Sequence, residues 1–274
     1  MRQQFTGTEE YIADDALLAD VNAAIVLEKP LLVRGEPGTG KTMLAESLSK
    51  ALGLRLIRWH VKSTTKAQEG LYTYDVVQRL NDSRFGGGDV GNISHYIKMG
   101  PLGEAFSSNE QVIVLIDEID KADIEFPNDL LRELDEMAFD IPETKETICA
   151  QKRPIVLITS NAEKELPDAF LRRCLFHYIE FPTPERMRQI VHAHHPNLDG
   201  ELISAAIDRF YFLRRVDGLR KKPSSSELLD WLAVLSRMGA SPELIRSQVP
   251  LMGALIKREQ DVALLAQLRA RRRL

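Results

Sequence analysis

Cysteine is almost missing from this chain: Cys149 and Cys174 are the whole complement in 274 residues. Two thiols offer neither the density of a disulfide framework nor the spacing of a metal site, and they fit a reducing compartment as plain buried thiols. Long apolar runs are missing too. No stretch approaches the roughly 20 residues that span a bilayer, and the opening MRQQFTGTEEYIADD lacks the basic flank and apolar run of a signal peptide. A cytoplasmic protein without a membrane span is the expectation. Positive charge is not in excess either. A formal net charge of -4 and the absence of a basic, aromatic stripe argue against a chain that works by neutralising and stacking on nucleic acid. The cationic run RARRR at 269–273 reads as a solvated helix end that suits the helix dipole.

Apolar residues make up 44% and charged residues 28%, so the chain can build one full domain and a smaller one. Apolar, β-branched runs at 31–34, 55–61, 111–116, 155–158 and 175–181 alternate with helical segments, which predicts an α/β layer structure around a parallel sheet. A helix is expected over 13–28, capped by Asp14 or Asp15 and stopped by Pro30, and another over 41–52, stopped by Gly53. Pro182 and Pro184 mark a boundary. Beyond it 185–195, 201–214, 225–238 and 242 to the end carry helical periodicity, so the division expected is 1–182 and 183–274, the second all helical. Residues 137–152 (MAFDIPETKETICAQK) alternate on either side of a Pro-Glu-Thr-Lys turn and predict a β-hairpin. Residues 64–100 are polar, glycine-rich and longer than an ordinary connection.

Gly35, Glu36, Pro37, Gly38, Thr39, Gly40, Lys41 and Thr42 satisfy G-x-x-x-x-G-K-[ST] between an apolar strand and a helix. Glycines let successive N–H groups point at phosphate oxygens, and the helix opening at Lys41 adds its positive end. In such a loop the lysine neutralises β- and γ-phosphates and the Thr42 hydroxyl binds Mg²⁺. Asp117 and Glu118 close the run 112–116, which delivers them at the carboxyl edge of the sheet, where ligands of open α/β sheets collect. Asp117 is the expected Mg²⁺ residue and Glu118 the expected general base for water. Asp120 reads as a cap for a following helix.

The cradle, the acid pair and a polar residue at the tip of the next strand resemble an AAA+ ATPase, and more narrowly the MoxR family. The resemblance covers nearly the whole chain, carried by 11–42, VIVLIDEIDKAD at 112–123, FDIPET at 139–144, 156–174 and HYIEFP at 177–182. It implies a P-loop αβα sandwich with a five-stranded parallel sheet followed by a small all-helical lid domain, in a ring that is usually hexameric with ATP between subunits. Asn161 then orients the attacking water, with helix capping as the alternative. Arg173, or Arg172 beside it, reaches into the neighbour's site. Tyr11 and Ile12 resemble the adenine-contacting segment. An insert at about 84–98 faces the central opening, with Phe85 and the glycines 86–88 as candidates for substrate contact. A lid arginine is replaced by Ser226, leaving Lys221, Lys222 or Arg220 as substitutes. The activity implied is Mg-dependent ATP hydrolysis that drives chaperone-like remodelling of a protein partner, by assembly or metal-cofactor insertion, often with a von Willebrand factor A domain protein. A slow-hydrolysing switch or scaffold is the alternative, and a nucleic-acid motor a more distant one.

Overall fold

A computed structural model of the chain describes residues 4–8, 11–86 and 89–270. Asp14 starts the first helix, α1 (Asp15–Leu27), by accepting a bond from Leu17 N at 2.8 Å, and Glu28, left-handed at φ 55°, ends it just before Lys29-Pro30. There follow β1 (Leu31–Gly35), α2 (Lys41–Leu52), β2 (Leu56–His60), α3 (Ala67–Leu71), β3 (Tyr72–Tyr74), α4 (Val76–Phe85), β4 (Ile97–Met99) and α5 (Pro101–Phe106). The glycine-rich connection is thus built of short elements, with β3 and β4 paired antiparallel. Of the expected contact residues Phe85 ends α4, Gly86 caps it, and Gly87 and Gly88 lie outside the described residues. Next come β5 (Ile113–Asp117), α6 (Phe126–Asp129), α7 (Leu131–Glu136), the antiparallel pair β6 (Ala138–Ile141) and β7 (Glu146–Cys149), β8 (Ile155–Ser160), α8 (Asp168–Leu171) and β9 (Leu175–Ile179).

Five of these strands form one parallel sheet in the order β2-β5-β8-β1-β9. All five residues of β5 are buried, which requires cover on both faces and explains its unbroken apolar run. Leu32, Val114, Ile116, Val156 and Ile158 from the sheet meet Trp59, Phe126, Phe139 and Phe170 in one core. This is the expected five-stranded α/β core. The chain divides into two compact units, one holding Ala13–Gly35 and Gly40–Ile179, the other holding residues 11–12, Glu36–Thr39 and the chain from Glu180 on.

The second unit is helical: α9 (Pro184–His194), α10 (Gly200–Arg214), α11 (Ser225–Arg237), α12 (Pro242–Ser247) and α13 (Glu259–Ala270). Thr183, Asp199, Ser224 and Ser241 cap the first four with their side chains, and Ser224 forms a reciprocal capping box with Glu227. The single helix expected from 242 onward is corrected to two, with one turn at Met252–Ala254 between them. Pro250 lacks an N–H for a helix, and its ring drives Val249 away from helical geometry. Of the cationic run, Arg269 stands in the last turn of α13 and 271–273 lie outside the described residues. Among the described residues no helix is long and apolar enough to cross a membrane.

The thiols are not alike, which corrects the expectation that both are buried. Cys149 is exposed at the end of β7, which pairs with β6 alone among the described residues. Cys174 is half-buried before β9, and burial pushes its thiol up to about 12, so it stays protonated.

Trp231 of α11 is wholly buried among Met187, Phe210, Leu232 and Ile245, and its Nε1 donates to Pro250 O at 2.7 Å. Trp231→Ala is expected to cost about 3–5 kcal/mol by cavity formation. Trp231→Phe should cost less but still strand the Pro250 carbonyl. Urea unfolding of both variants checks the order, and equal losses would mean that the buried ring contributes nothing beyond the indole bond.

Candidate active site

The loop between β1 and α2 turns through two left-handed glycines, Gly38 at φ 79° and Gly40 at φ 88°. An L side chain is strained at both, so the sequence spends glycine where the backbone must fold back toward the helix. Thr39 closes the turn by donating its N–H and its Oγ1 to Glu36 O at 3.3 and 2.9 Å. Lys41, the first residue of α2, is 7% exposed and donates Nζ to Gly35 O at 2.8 Å. A backbone turned through two left-handed glycines at the start of a helix, with a lysine as the first helical residue, is the arrangement that receives an anion.

Across the sheet edge, Thr42 Oγ1 donates to Asp117 Oδ1 at 3.2 Å. Thr159, at the end of β8, donates its hydroxyl to the same oxygen at 2.7 Å and accepts from Glu118 N at 2.8 Å. His60 Nδ1, at the end of β2, lies 3.3 Å from Asp117 Oδ2. A hydroxyl and a carboxylate in contact suit a hard cation such as Mg²⁺ that keeps water and phosphate oxygens as its other ligands. Among the described residues no group of three or more His, Cys, Asp or Glu could hold a metal ion.

Glu118 leaves the strand in a left-handed conformation, φ 59°, which is uncommon for a residue with a side chain and costs on the order of 1–3 kcal/mol. Its carboxylate is held on both oxygens: Asn161 Nδ2 donates to Oε1 at 2.9 Å, and Lys121 Nζ is 2.5 Å from Oε2. The bond to Glu118 raises the Lys121 ammonium above its ordinary pKa. A cleft of about 530 Å³ runs beside Glu118, lined also by His60, Lys62, Lys121 and Lys164.

The helix-capping alternative for Asn161 falls, because no helix covers 162–166 and the next one, α8, starts from Pro167 without a side-chain cap. Asp120 does not cap a following helix either. Only 2% exposed, it accepts from Asn161 N at 3.4 Å and Glu163 N at 2.8 Å, and so fixes the turn that carries Asn161.

The structure brings Lys41, Thr42, Asp117, Glu118 and Asn161 to one edge of the sheet. Arg173 donates Nε to Asp135 Oδ2 at 2.6 Å and Nη1 to Ala169 O at 2.8 Å, while Arg172 is exposed. In the second unit Tyr11 is buried, and Ile12 accepts through its carbonyl from Arg186 at 2.8 Å. Ser226 and Lys222 are exposed in and before the first turn of α11. Lys221 Nζ is held by Glu227 at 2.6 Å, and the backbone N–H groups of Arg220 and Lys221 go to buried Asp261. Thr159, Lys121 and His60 escape the sequence reading. The only signal for Thr159 is a hydroxyl residue interrupting an apolar strand two places before Asn161.

A family model described as ATPase family associated with various cellular activities (AAA) matches residues 31–183, a span that contains the nine strands found among the described residues. No curated protein matches the chain.

Thr159→Val keeps the shape of the side chain and removes the hydroxyl that joins Asp117 to Glu118 N. It is expected to lower stability by about 1–3 kcal/mol, the cost of a buried donor left unpaired, whereas Thr159→Ser should stay near wild type. Urea denaturation decides, and a Val variant as stable as the Ser variant removes the bridge.

Proposed function

The chain belongs to the ATPase family associated with various cellular activities, and on that premise we propose that it binds ATP with Mg²⁺ on the loop from Gly35 to Thr42 and hydrolyses it with Glu118 as general base. The observation that carries this reading is the pairing of Thr42 with Asp117 at 3.2 Å beside a Glu118 that Asn161 holds at 2.9 Å. In this reading the loop N–H groups and the start of α2 receive the phosphates, and Lys41 turns from Gly35 O to β- and γ-phosphate oxygens. Thr42 and Asp117 hold Mg²⁺, which spreads the charge developing on the transferred phosphoryl group. Glu118 takes the proton of the attacking water, and Asn161 fixes the carboxylate and with it the water's line of approach.

Arg173 completes the site of a neighbouring subunit. Its pair with Asp135 is about half exposed, and such a pair costs about 1 kcal/mol or less to open. The guanidinium is therefore available to charge on a neighbour's γ-phosphate. Within the family we assign the chain to the MoxR group and to a hexameric ring, with an α/β core over 1–182, an insert at about 84–98, a hairpin at about 137–152 and a helical lid over 183–274. Tyr11 and Ile12 border the adenine. The ring acts in the cytoplasm as a chaperone-like remodeller of a protein partner, with a von Willebrand factor A domain protein as the candidate.

One observation favours the second reading, a switch that hydrolyses slowly. Lys121 occupies Glu118 Oε2 at 2.5 Å, and a carboxylate engaged on both oxygens is a poor base until one is released. In that case Lys121→Met raises turnover.

Glu118→Gln is expected to retain ATP affinity and lose hydrolysis by about 10²–10⁴-fold. Unchanged steady-state phosphate release in that variant removes Glu118 from the mechanism. Lys41→Ala and Arg173→Ala are each expected to be inactive alone and to regain part of the turnover when mixed, since one interface then joins an intact cradle to an intact arginine. Mixed rings that form without regaining activity would show that Arg173 does not act across subunits.

A further inference from the structure

The second unit contains part of the phosphate loop itself, Glu36–Thr39, and grips it at two places. Arg214, in the last turn of α10, donates Nη2 to Glu36 Oε2 at 2.7 Å. Its guanidinium carbon lies 3.3 Å from the centre of the Phe181 ring, its Nη1 donates to Pro223 O, and only 9% of the residue is exposed. Pro223 leads into Ser224, the N-cap of α11, and Ser224 Cβ stands 2.8 Å from where a Cβ on Gly38 would sit. One buried arginine thus ties the start of α11 to the second residue of the loop, while the cap of that helix closes on the fourth.

This arrangement is more than a surface ion pair. A guanidinium this deep is stable only while its carboxylate partner stays in place, so Glu36 is held as firmly as Arg214 is fixed by Phe181 and Pro223. Glu36 in turn carries the carbonyl on which Thr39 closes the turn. Backbone N–H groups bind an anion well only if their conformation is set beforehand, because ordering them at the moment of binding subtracts from affinity.

We infer that Arg214 is a positioning residue for the nucleotide, holding Glu36–Thr39 in the form that receives phosphate. It acts through Glu36 and does not touch the ligand. The inference rests on the proposed nucleotide site. By linkage, phosphate on the loop strengthens the Glu36–Arg214 pair as much as the pair strengthens phosphate binding, so α10 and the start of α11 sense occupancy.

The test measures binding of a fluorescent ATP analogue and thermal unfolding of the nucleotide-free protein for Glu36→Gln, Arg214→Lys, Arg214→Met and the double variant Glu36→Gln/Arg214→Met. Glu36→Gln should weaken binding about fivefold to tenfold; its amide still accepts from Arg214 but leaves a buried charge uncompensated, so the Tm of the nucleotide-free protein falls as well and binding is compared well below that Tm. Arg214→Lys keeps the charge without the fork and should fall between wild type and Glu36→Gln. The double variant should bind no worse than Arg214→Met, since both changes break one link. Where turnover is measured, KM for ATP should rise and kcat should hold. Wild-type affinity in Glu36→Gln and Arg214→Lys overturns the inference even if Arg214→Met fails to fold, and so do losses that multiply in the double variant. Wild-type protein that binds no more analogue than Lys41→Ala overturns the nucleotide site and this inference together. Intact wild-type binding with an unaffected Glu36→Gln overturns the role of Arg214 alone.

Discussion

The contact between Thr42 and Asp117 joins residues 75 places apart in the chain, and most of the architecture can be read as what is needed to make it. Thr42 follows β1 through the glycine loop, whereas Asp117 ends β5, and those strands are not neighbours: β8 lies between them. The gap is closed from one side by α2, which opens directly after the loop and packs against β1, β5 and β8. It is closed from the other side by Thr159 of β8, whose hydroxyl supports the same carboxylate oxygen. A sheet in a different order would separate the hydroxyl from the carboxylate. The parallel direction of the strands matters equally, since it brings the ends of β1, β5 and β8 to one edge.

At that edge strain and support occur together. Glu118 holds a left-handed backbone conformation that a strand does not offer, and its N–H, which would otherwise be orphaned, is taken by Thr159. Its carboxylate is fixed by Asn161, and Asn161 by Asp120, itself one of the most deeply buried charged residues of the chain. Each link removes freedom from the next, so the carboxylate is set by a bonded chain rather than by one contact. Strain persists at a site only where its surroundings over-determine it, and here they do.

Much of this was legible in the residues because it is local. The glycine loop is a pattern of eight consecutive positions, and the buried strands announce themselves as unbroken apolar runs, so the parallel sheet and the loop and acidic residues at its edge can be located from the sequence. What failed to show depends on partners that only the topology brings near. Thr159 looks like any hydroxyl residue in a strand until β5 lies beside it. Lys121 looks like a solvated charge until Glu118 turns back through its left-handed bend. Arg214 looks like the cationic last turn of a helix that suits the dipole, and nothing nearby in sequence names Glu36, 178 residues away, as its partner. For Cys149 the converse holds: a lone thiol without disulfide or metal spacing is expected to be buried, but β6 and β7 form a ribbon of their own and leave it exposed.

The two holds on the loop and on the acid differ in kind, and the difference bears on control. Arg214 is buried and stacked, so its grip on Glu36 is rigid and opens only if its surroundings move. Lys121 and Glu118 are each more than a third exposed, and an ammonium on a flexible stem exchanges partners readily. The loop is therefore held by a stiff link within the helical unit and the Glu118 carboxylate by a soft one, so in the proposed mechanism affinity would respond to a change around Arg214 and turnover to a charge that draws Lys121 off Glu118.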